Sequence, residues 1–507
     1  MAVIRPFKAI RPVKEVATQV ASVPYDVVNR EESAALVKDN PLSFLRVTRA
    51  EIELSKDVNA YSPEVYQKAK ENIERLKKEA PLMQDETPHF YIYKLKMMNL
   101  YLRIMIPILL LSTILLAIDL YSMKGIKELA NEFNVLKFER IFKIASWTFT
   151  SLVILSLILI FIFFDKIDLA KSYSMFFFVA SLVIVVYLSK LSFITFHLIE
   201  DLIYVSSKYI FSNGIRLFFI SKIGIISGFL TLVLALYGIF FGKYQYTIHP
   251  ITIQSNKIPK EFNDFKIVQI SDLHIGSFRN NPSKLEKAID LINAQKPDLI
   301  LFTGDLVNNF ASEVQEFKSI LKKLSAKHGT YSVLGNHDYG EYYKWKSVDK
   351  KKKNLENLYK IEEEIGFNLL LNSSIIIEKD SAKIAILGVE NWGLPPFPAH
   401  GDLNMALENI ENIDAKILMS HDPTHWTEQV KEKTDILLTL SGHTHGMQMG
   451  FEFGRFRWSP VKFKYPLWAG LYEENNQYLY VNRGLGFIGF SGRVGIWPEI
   501  TVITLKN

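Results

Sequence analysis

The chain contains no cysteine. Disulfide frameworks, thiolate zinc sites and thiolate nucleophiles are thereby excluded. The compartment stays open, because a chain without cysteine suits either side of a membrane. Excess charge is also missing. The formal net charge is +6 over 507 residues, too little for the dense basic stripe of a protein that grips many nucleic-acid phosphates. The opening MAVIRPFKAIRPVKEV lacks a long apolar core, so no cleavable signal peptide is read there. No internal repeat recurs, and the one low-complexity patch, DKKKKN at 349–354, reads as a solvated loop or helix start.

What the chain does have is apolar residues, 49% of the total, and 35 phenylalanines. The excess is local. Four apolar runs, at about 104–123, 144–164, 173–198 and 223–242, fill a region from 97 to 245. At 1.5 Å per helical residue, about 20 residues span a hydrocarbon core of roughly 30 Å. Stretches such as SLVILSLILIFIFF leave no polar face for a soluble core helix. Four spans put both ends of the region on one side of the membrane. Lys124, Lys127, Lys137, Arg140, Lys143, Lys208, Arg216 and Lys222 lie between spans one and two or three and four. The other side carries five basic residues: Arg103, Lys166, Lys171, Lys243 and Lys257. The bias places the loops inside and both flanking segments outside the cytoplasm.

Residues 250–507 alternate apolar strands with helical patterns, as an α/β layered domain does. Strands are expected at 265–271, 299–303, 330–334, 383–389, 416–420 and 436–441, and a helix at 283–295. Five of these strands are followed at once by polar motifs: Asp272-Leu-His274, Gly304-Asp305, Gly335-Asn336-His337-Asp338, His421-Asp422 and Gly442-His443-Thr444-His445. Carboxyl ends of strands are where α/β folds build sites. Carboxylates, an amide and imidazoles without thiolates suit hard to borderline divalent metals. The glycines at 304, 335 and 442 are expected to permit sharp turns before the ligands.

The order D-x-H, G-D, G-N-H-D, H, G-H-x-H resembles the calcineurin-like metallophosphoesterases, and GHTHGMQ resembles the GHTHGGQ of their bacterial membrane-associated branch, with Met447 in place of a glycine. The resemblance implies a layered αββα sandwich that binds two divalent cations, manganese first, with iron or zinc as alternatives. It assigns Asp272, His274 and His445 to one metal, Asn336, His421 and His443 to the second, and Asp305 to both. Such a pair of cations lowers the pKa of water and offsets charge on phosphate oxygens. His337 would protonate the leaving group or hydrogen-bond the phosphate. Asp338 is read either as the group that orients His337 or as a helix-cap or loop aspartate. Arg483 in VNRGLG is a candidate phosphate contact. His425, His400, His197 and His249 are read as structural. The tract 451–472, FEFGRFRWSPVKFKYPLWAGLY, interleaves aromatic and basic residues; it is read as a packed hairpin edge, a nucleic-acid surface or a lipid-facing rim.

Residues 1–96 read as a short α+β segment, with a helix at 62–80 and a strand at 89–95. RPFKAIRP, VASVPYDVVNREE, NPLSFLRVTRAEI and HFYIYKL resemble the opening of a longer bacterial family of unknown function. The strand would lack its later partners, so this segment is expected to be an attachment to an enzyme that starts near Met97 or Met98; a regulatory fusion is the rival. The expected activity is hydrolysis of a phosphomonoester, phosphodiester or pyrophosphate bond, with tethering favouring a lipid-linked substrate outside the cytoplasm and no nucleic-acid partner. A nuclease, a cyclic-nucleotide phosphodiesterase and a non-catalytic metal-binding scaffold are the alternatives.

Overall fold

The computed structural model describes residues 88–163 and 169–507, apart from 396, 398, 411, 414 and 455, and earlier in the chain only Gln67 and Glu71. The α+β segment and its helix at 62–80 otherwise lie outside the described residues. Residues 107–507 form one compact unit.

Four long helices come first: α1 (Pro88–Glu132), α2 (Leu136–Phe163), α3 (Leu169–Phe211) and α4 (Phe218–Phe240). Each is long and apolar enough to cross a membrane. Outward-facing Leu109, Phe229 and other large apolar side chains are mostly exposed among the described residues and suit contact with lipid tails. The strand expected at 89–95 is instead the first part of α1. HFYIYKL has strand-favouring residues, but it runs without a break into an apolar helix. Extending that helix satisfies its backbone hydrogen bonds locally, which a lone strand cannot do. The α3–α4 pair packs closely because α4 carries Gly224 and Gly228. A Cβ there would stand 2.9 Å from the Phe193 carbonyl and 2.8 Å from the Ser189 carbonyl of α3. Inside the bundle, buried Asp119 pairs with Lys190 and accepts from Thr150, so neither charge is left unmatched.

The remainder is two six-stranded sheets. The first runs β1 (Thr247–Gln254), β14 (Glu499–Lys506), β2 (Lys266–Ile270), β3 (Leu299–Phe302), β4 (Thr330–Ser332), β5 (Phe367–Leu369). The second runs β12 (Gly470–Glu474), β13 (Gln477–Val481), β9 (Leu438–Ser441), β8 (Lys416–Met419), β7 (Ala382–Gly388), β6 (Ser373–Lys379). In each sheet the strands nearest the motifs are parallel: β2–β3–β4 in the first, β7–β8–β9 in the second. A shared core of Ile267, Leu301, Ile386, Ile417 and Leu440 lies between the sheets. Helices α5 (Pro282–Ala294) and α6 (Val348–Glu364) cover the outer face of the first sheet through Leu285, Ile289, Leu358 and Ile361. Short helices and loops, with Leu403, Ala406 and Trp426, cover the second. The layering is the expected αββα sandwich, and the parallel strands aim their carboxyl ends, with all five motifs, at one edge.

A hairpin stands apart from both sheets. It consists of β10 (Phe451–Phe453) and β11 (Phe456–Trp458).

Candidate metal centre

The five motif segments converge. His274 Nε2 lies 3.1 Å from His445 Nε2 and 3.5 Å from Asp305 Oδ2. His445 Nε2 lies 3.2 Å from Asp272 Oδ1. On the other side, His421 Nε2 is 3.2 Å from Asp305 Oδ2, and His443 Nδ1 is 2.8 Å from Asn336 Oδ1 and 3.3 Å from His421 Nε2. Donor atoms sharing a cation at ~2.0–2.2 Å sit roughly 3.0–3.5 Å apart, and this set has that spacing. Two groups, Asp272–His274–His445 and Asp305–His421–His443, are each compact enough to hold an ion. One oxygen of Asp305, Oδ2, faces a histidine of each group. Nitrogen atoms facing nitrogen atoms make poor hydrogen bonds to one another, but they make a good ligand shell. Two dications against two aspartates leave a net positive site, which suits a phosphate.

The backbone is bent to achieve this. Asp272, His274, Asp305, His443 and His445 all have positive φ, between 39° and 71°. Left-handed backbone costs a non-glycine residue about 1–2 kcal/mol, and such strain collects at functional sites. The glycines serve a different purpose from the turns expected of them at two of three positions. Gly304 does take a φ of +93°. At Gly335 and Gly442 φ is ordinary, and the requirement is close approach: a Cβ at Gly335 would strike Asp305, and one at Gly442 would strike Ser271 and Asp272.

Partners behind the ligands fix the ring nitrogens. His421 Nδ1 donates to the Thr303 carbonyl at 2.7 Å, which leaves Nε2 for the site. His443 Nε2 meets the Tyr465 hydroxyl at 2.8 Å, which leaves Nδ1. Burial opposes ionisation of the aspartates, but the surrounding histidines hold Asp272 and Asp305 well below the ordinary carboxylate range. Burial lowers His443 to about 4. Burial also pulls on His421, yet the facing Asp305 and Asp272 carboxylates raise it to about 10.

His337 is half-buried at the rim, beside Tyr342 and His274. Its Nδ1 faces the Asn308 carbonyl at 2.9 Å, leaving Nε2 as the nitrogen available outward. Asp338 does not orient it. The Asp338 carboxylate accepts from the backbone N–H groups of Asp305, Leu306, Val307 and Gly335 at 2.8–3.1 Å. It is the loop aspartate of the two expectations, and it shapes the turn that presents Asp305. Arg483 also departs from expectation. It is buried between the Glu452 and Glu499 carboxylates, each at 2.5 Å, so its charge is matched and it faces no open site.

Sequence reasoning passed over Tyr342, Tyr465 and Arg493. Tyr342 OH accepts from Asn336 Nδ2 at 2.7 Å. Arg493 is fully buried. It donates to the Gly484 and Gly486 carbonyls at 3.0 and 2.6 Å and lies 3.4 Å from His445 Nδ1. None of the three belongs to a motif. Arg493 sits in FSGRVG, where two glycines hinted at a tight loop. That loop is wedged into the helix bundle. Phe490 packs with Val185, Ala235 and Ile239 of α3 and α4. Ser491 N donates to Ser181 Oγ at 2.6 Å, and Arg493 N to the Gly238 carbonyl at 3.1 Å. One arginine side chain thus separates the candidate ligand His445 from the last turn of α4.

Residues 265–447 match the family model of calcineurin-like phosphoesterases, and residues 102–243 match that described as a probable calcineurin-like phosphoesterase transmembrane domain. Residues 4–106 match a protein of unknown function, DUF1015. Among curated relatives, the uncharacterized metallophosphoesterase YkuE of Bacillus subtilis is 34% identical over 263 residues, covering 50% of this chain and 84% of that one. The transmembrane protein with metallophosphoesterase domain of Danio rerio is 28% identical over 286 residues, covering 55% and 61%. The uncharacterized metallophosphoesterase Cj0846 of Campylobacter jejuni is 31% identical over 253 residues, covering 50% and 62%. The matched part thus spans about three fifths of the last two relatives.

Proposed function

The chain belongs to the calcineurin-like metallophosphoesterases and is a membrane protein, and on that premise we propose that it hydrolyses a phosphate ester or pyrophosphate bond of a lipid-linked substrate. The observation that supports hydrolysis is the convergence of Asp272, His274, Asp305, Asn336, His421, His443 and His445 at donor spacings of 2.8–3.5 Å. These residues would hold two divalent cations, manganese first, with iron or zinc as alternatives. The cations supply a polarised water and offset charge on the phosphate. His337 Nε2, oriented through Nδ1 by the Asn308 carbonyl, delivers a proton to the leaving oxygen.

What supports a lipid-linked substrate is depth. The loop carrying Arg493 enters the apolar cluster of α3 and α4, and Arg493 lies 3.4 Å from His445, so the candidate site is close to the end of a candidate membrane span. The positive-inside bias of eight basic residues against five supports a domain outside the cytoplasm. The test is the full chain in liposomes with Mn²⁺, screened on p-nitrophenyl phosphate, bis(p-nitrophenyl) phosphate and lipid pyrophosphates. Turnover that Asp305→Ala abolishes is expected; a manganese-loaded sample inert on all three refutes the reading. Orientation is checked by a single cysteine at exposed Val348, which the cysteine-free background makes specific: an impermeant maleimide should label it in intact cells.

The proposal also divides the chain at about residue 96, with helices over 97–245 and the hydrolase over 250–507, and treats the first segment as an attachment. N-terminal sequencing of the native protein should find a start near Met97. A mature chain beginning at Met1 with a protease-resistant N-terminal domain would overturn that division.

A further inference from the structure

The β10–β11 hairpin is two-faced. Its register pairs Phe451 with Trp458, Glu452 with Arg457 and Phe453 with Phe456. Residues directly opposite in an antiparallel pair share a face, and neighbours along a strand alternate. One face is therefore Phe451, Phe453, Phe456 and Trp458, and the other is Glu452 and Arg457. The polar face turns back onto the domain: Glu452 pairs with Arg483 at 2.5 Å and Arg457 lies over the Tyr472 ring at 5.0 Å. The aromatic face is left outward. Phe453 is 86% exposed and Phe456 63%. Phe451, 48% exposed, stacks on its hairpin neighbours, with ring centroids 5.7 Å from Phe456 and 5.6 Å from Trp458. Such an aromatic plate in water opposes the hydrophobic effect.

The root of the hairpin says what covers it. Met449 bridges to Val494, and Gly450 N donates to the Val494 carbonyl at 2.9 Å. Val494 is packed on Gly238, so tightly that a Cβ there would meet its side chain at 2.6 Å. Trp497 meets Tyr237 edge-on at 6.2 Å. The hairpin thus starts within one strand of the last turn of α4. That helix has 23 residues and, at ~1.5 Å each, reaches the edge of a ~30 Å hydrocarbon layer. Phe240 and Phe241 of the same helix end are also exposed, which continues the apolar surface toward the hairpin. Phe463, 80% exposed, and Lys462 and Lys464 follow in the next turn. Aromatic side chains with adjacent lysines are the composition of a membrane interface.

We propose that the β10–β11 hairpin is an interfacial anchor that lays its aromatic face into the headgroup–acyl boundary beside α4 and holds the mouth of the metal centre against the lipid surface. This rests on the lipid-directed reading above for its purpose, but not for its geometry. Tyr465, which meets the ligand His443, follows Phe463 and Lys464 directly, so the anchor and the site share one loop.

The test uses the full chain in phosphatidylglycerol-containing liposomes. Phe453→Cys, labelled with an environment-sensitive fluorophore, is compared with Asp380→Cys in the β6–β7 turn at the opposite strand edge. The label at 453 should be quenched by nitroxide lipids and shielded from aqueous iodide, while the label at 380 should show the reverse. Equal iodide access at both positions overturns the proposal, as does shielding at 453 without lipid quenching, which would mark a protein contact. In parallel, Phe453→Ser with Phe456→Ser should lower kcat/KM on a vesicle-borne phospholipid ester about ten-fold and leave p-nitrophenyl phosphate turnover unchanged. An equal loss on both esters counts against the anchor. Lipid quenching at 453 in a parent chain that hydrolyses no vesicle-borne ester would sustain the anchor and sink the lipid-linked substrate.

Discussion

Replacing Gly335 by alanine should disable the metal centre without dismantling the fold. The new methyl would stand 2.7 Å from both the carboxyl carbon and the backbone nitrogen of Asp305. Carbon atoms in contact rest at about 3.5–4.0 Å, so roughly 1 Å must be found. Gly335 has little room to yield, because its N–H is held by Asp338 at 2.8 Å. Asp305 has to move, and its Oδ2 is the oxygen that faces both His274 and His421. A displacement near 1 Å costs about 10²-fold in rate and exceeds the ~0.2 Å tolerance of a metal–ligand distance. The strain itself costs about 1–3 kcal/mol. The assay is metal content per chain, p-nitrophenyl phosphate turnover and the melting curve on one preparation. Bound metal below that of the parent, about 10²-fold lower kcat/KM and a modest fall in Tm are expected. Full metal content with parental turnover would refute the claim that this glycine exists to let Asp305 in.

Asp305→Ala should abolish turnover and lower bound metal, whereas His337→Ala should keep its metal and lose about 10²–10⁴-fold in kcat; metal analysis beside kinetics separates the two. Asp338→Asn turns an amide NH₂ toward backbone donors, so Tm and metal content should fall together; an altered pH–rate profile with unchanged Tm would instead restore Asp338 as the partner of His337. Glu362 is buried, and burial, with Asp338 nearby, raises it to about 8 from an ordinary 4.5. The native state therefore holds a proton that the unfolded chain releases, and stability falls as pH rises from about 4.5 to 8. Glu362→Gln keeps an acceptor for Ser332, and its Tm relative to the parent should rise between pH 5 and pH 8; a pH-independent difference would show that Glu362 is ionised in the fold.

The convergence of the candidate ligands was legible because each of the five motifs follows a strand in sequence, so a one-dimensional pattern reports a three-dimensional edge. Asp338 was ambiguous for the opposite reason: three of the four backbone amides it accepts from belong to a loop more than 30 residues away. Arg493, Tyr342 and Tyr465 reach the site through tertiary proximity, which no local spacing announces. Arg483 looked like a phosphate ligand because sequence shows a cation but not the two carboxylates that enclose it. The tract 451–472 showed its aromatic and basic residues plainly, but not that the register of Phe451–Phe453 with Phe456–Trp458 puts four aromatics on one side. HFYIYKL misled because seven residues cannot tell a strand from the start of a long helix.

The loop from Phe490 to Arg493 makes α3 and α4 a structural support of the phosphoesterase domain. Cleaving the chain near residue 245 to obtain a water-soluble hydrolase would strip Phe490 of its apolar socket and the amides of Ser491 and Arg493 of Ser181 and Gly238. The segment behind His445 would then be free to relax. Measurements on such a fragment would describe a slacker site than the intact one, and a detergent that loosens α3 from α4 would do the same.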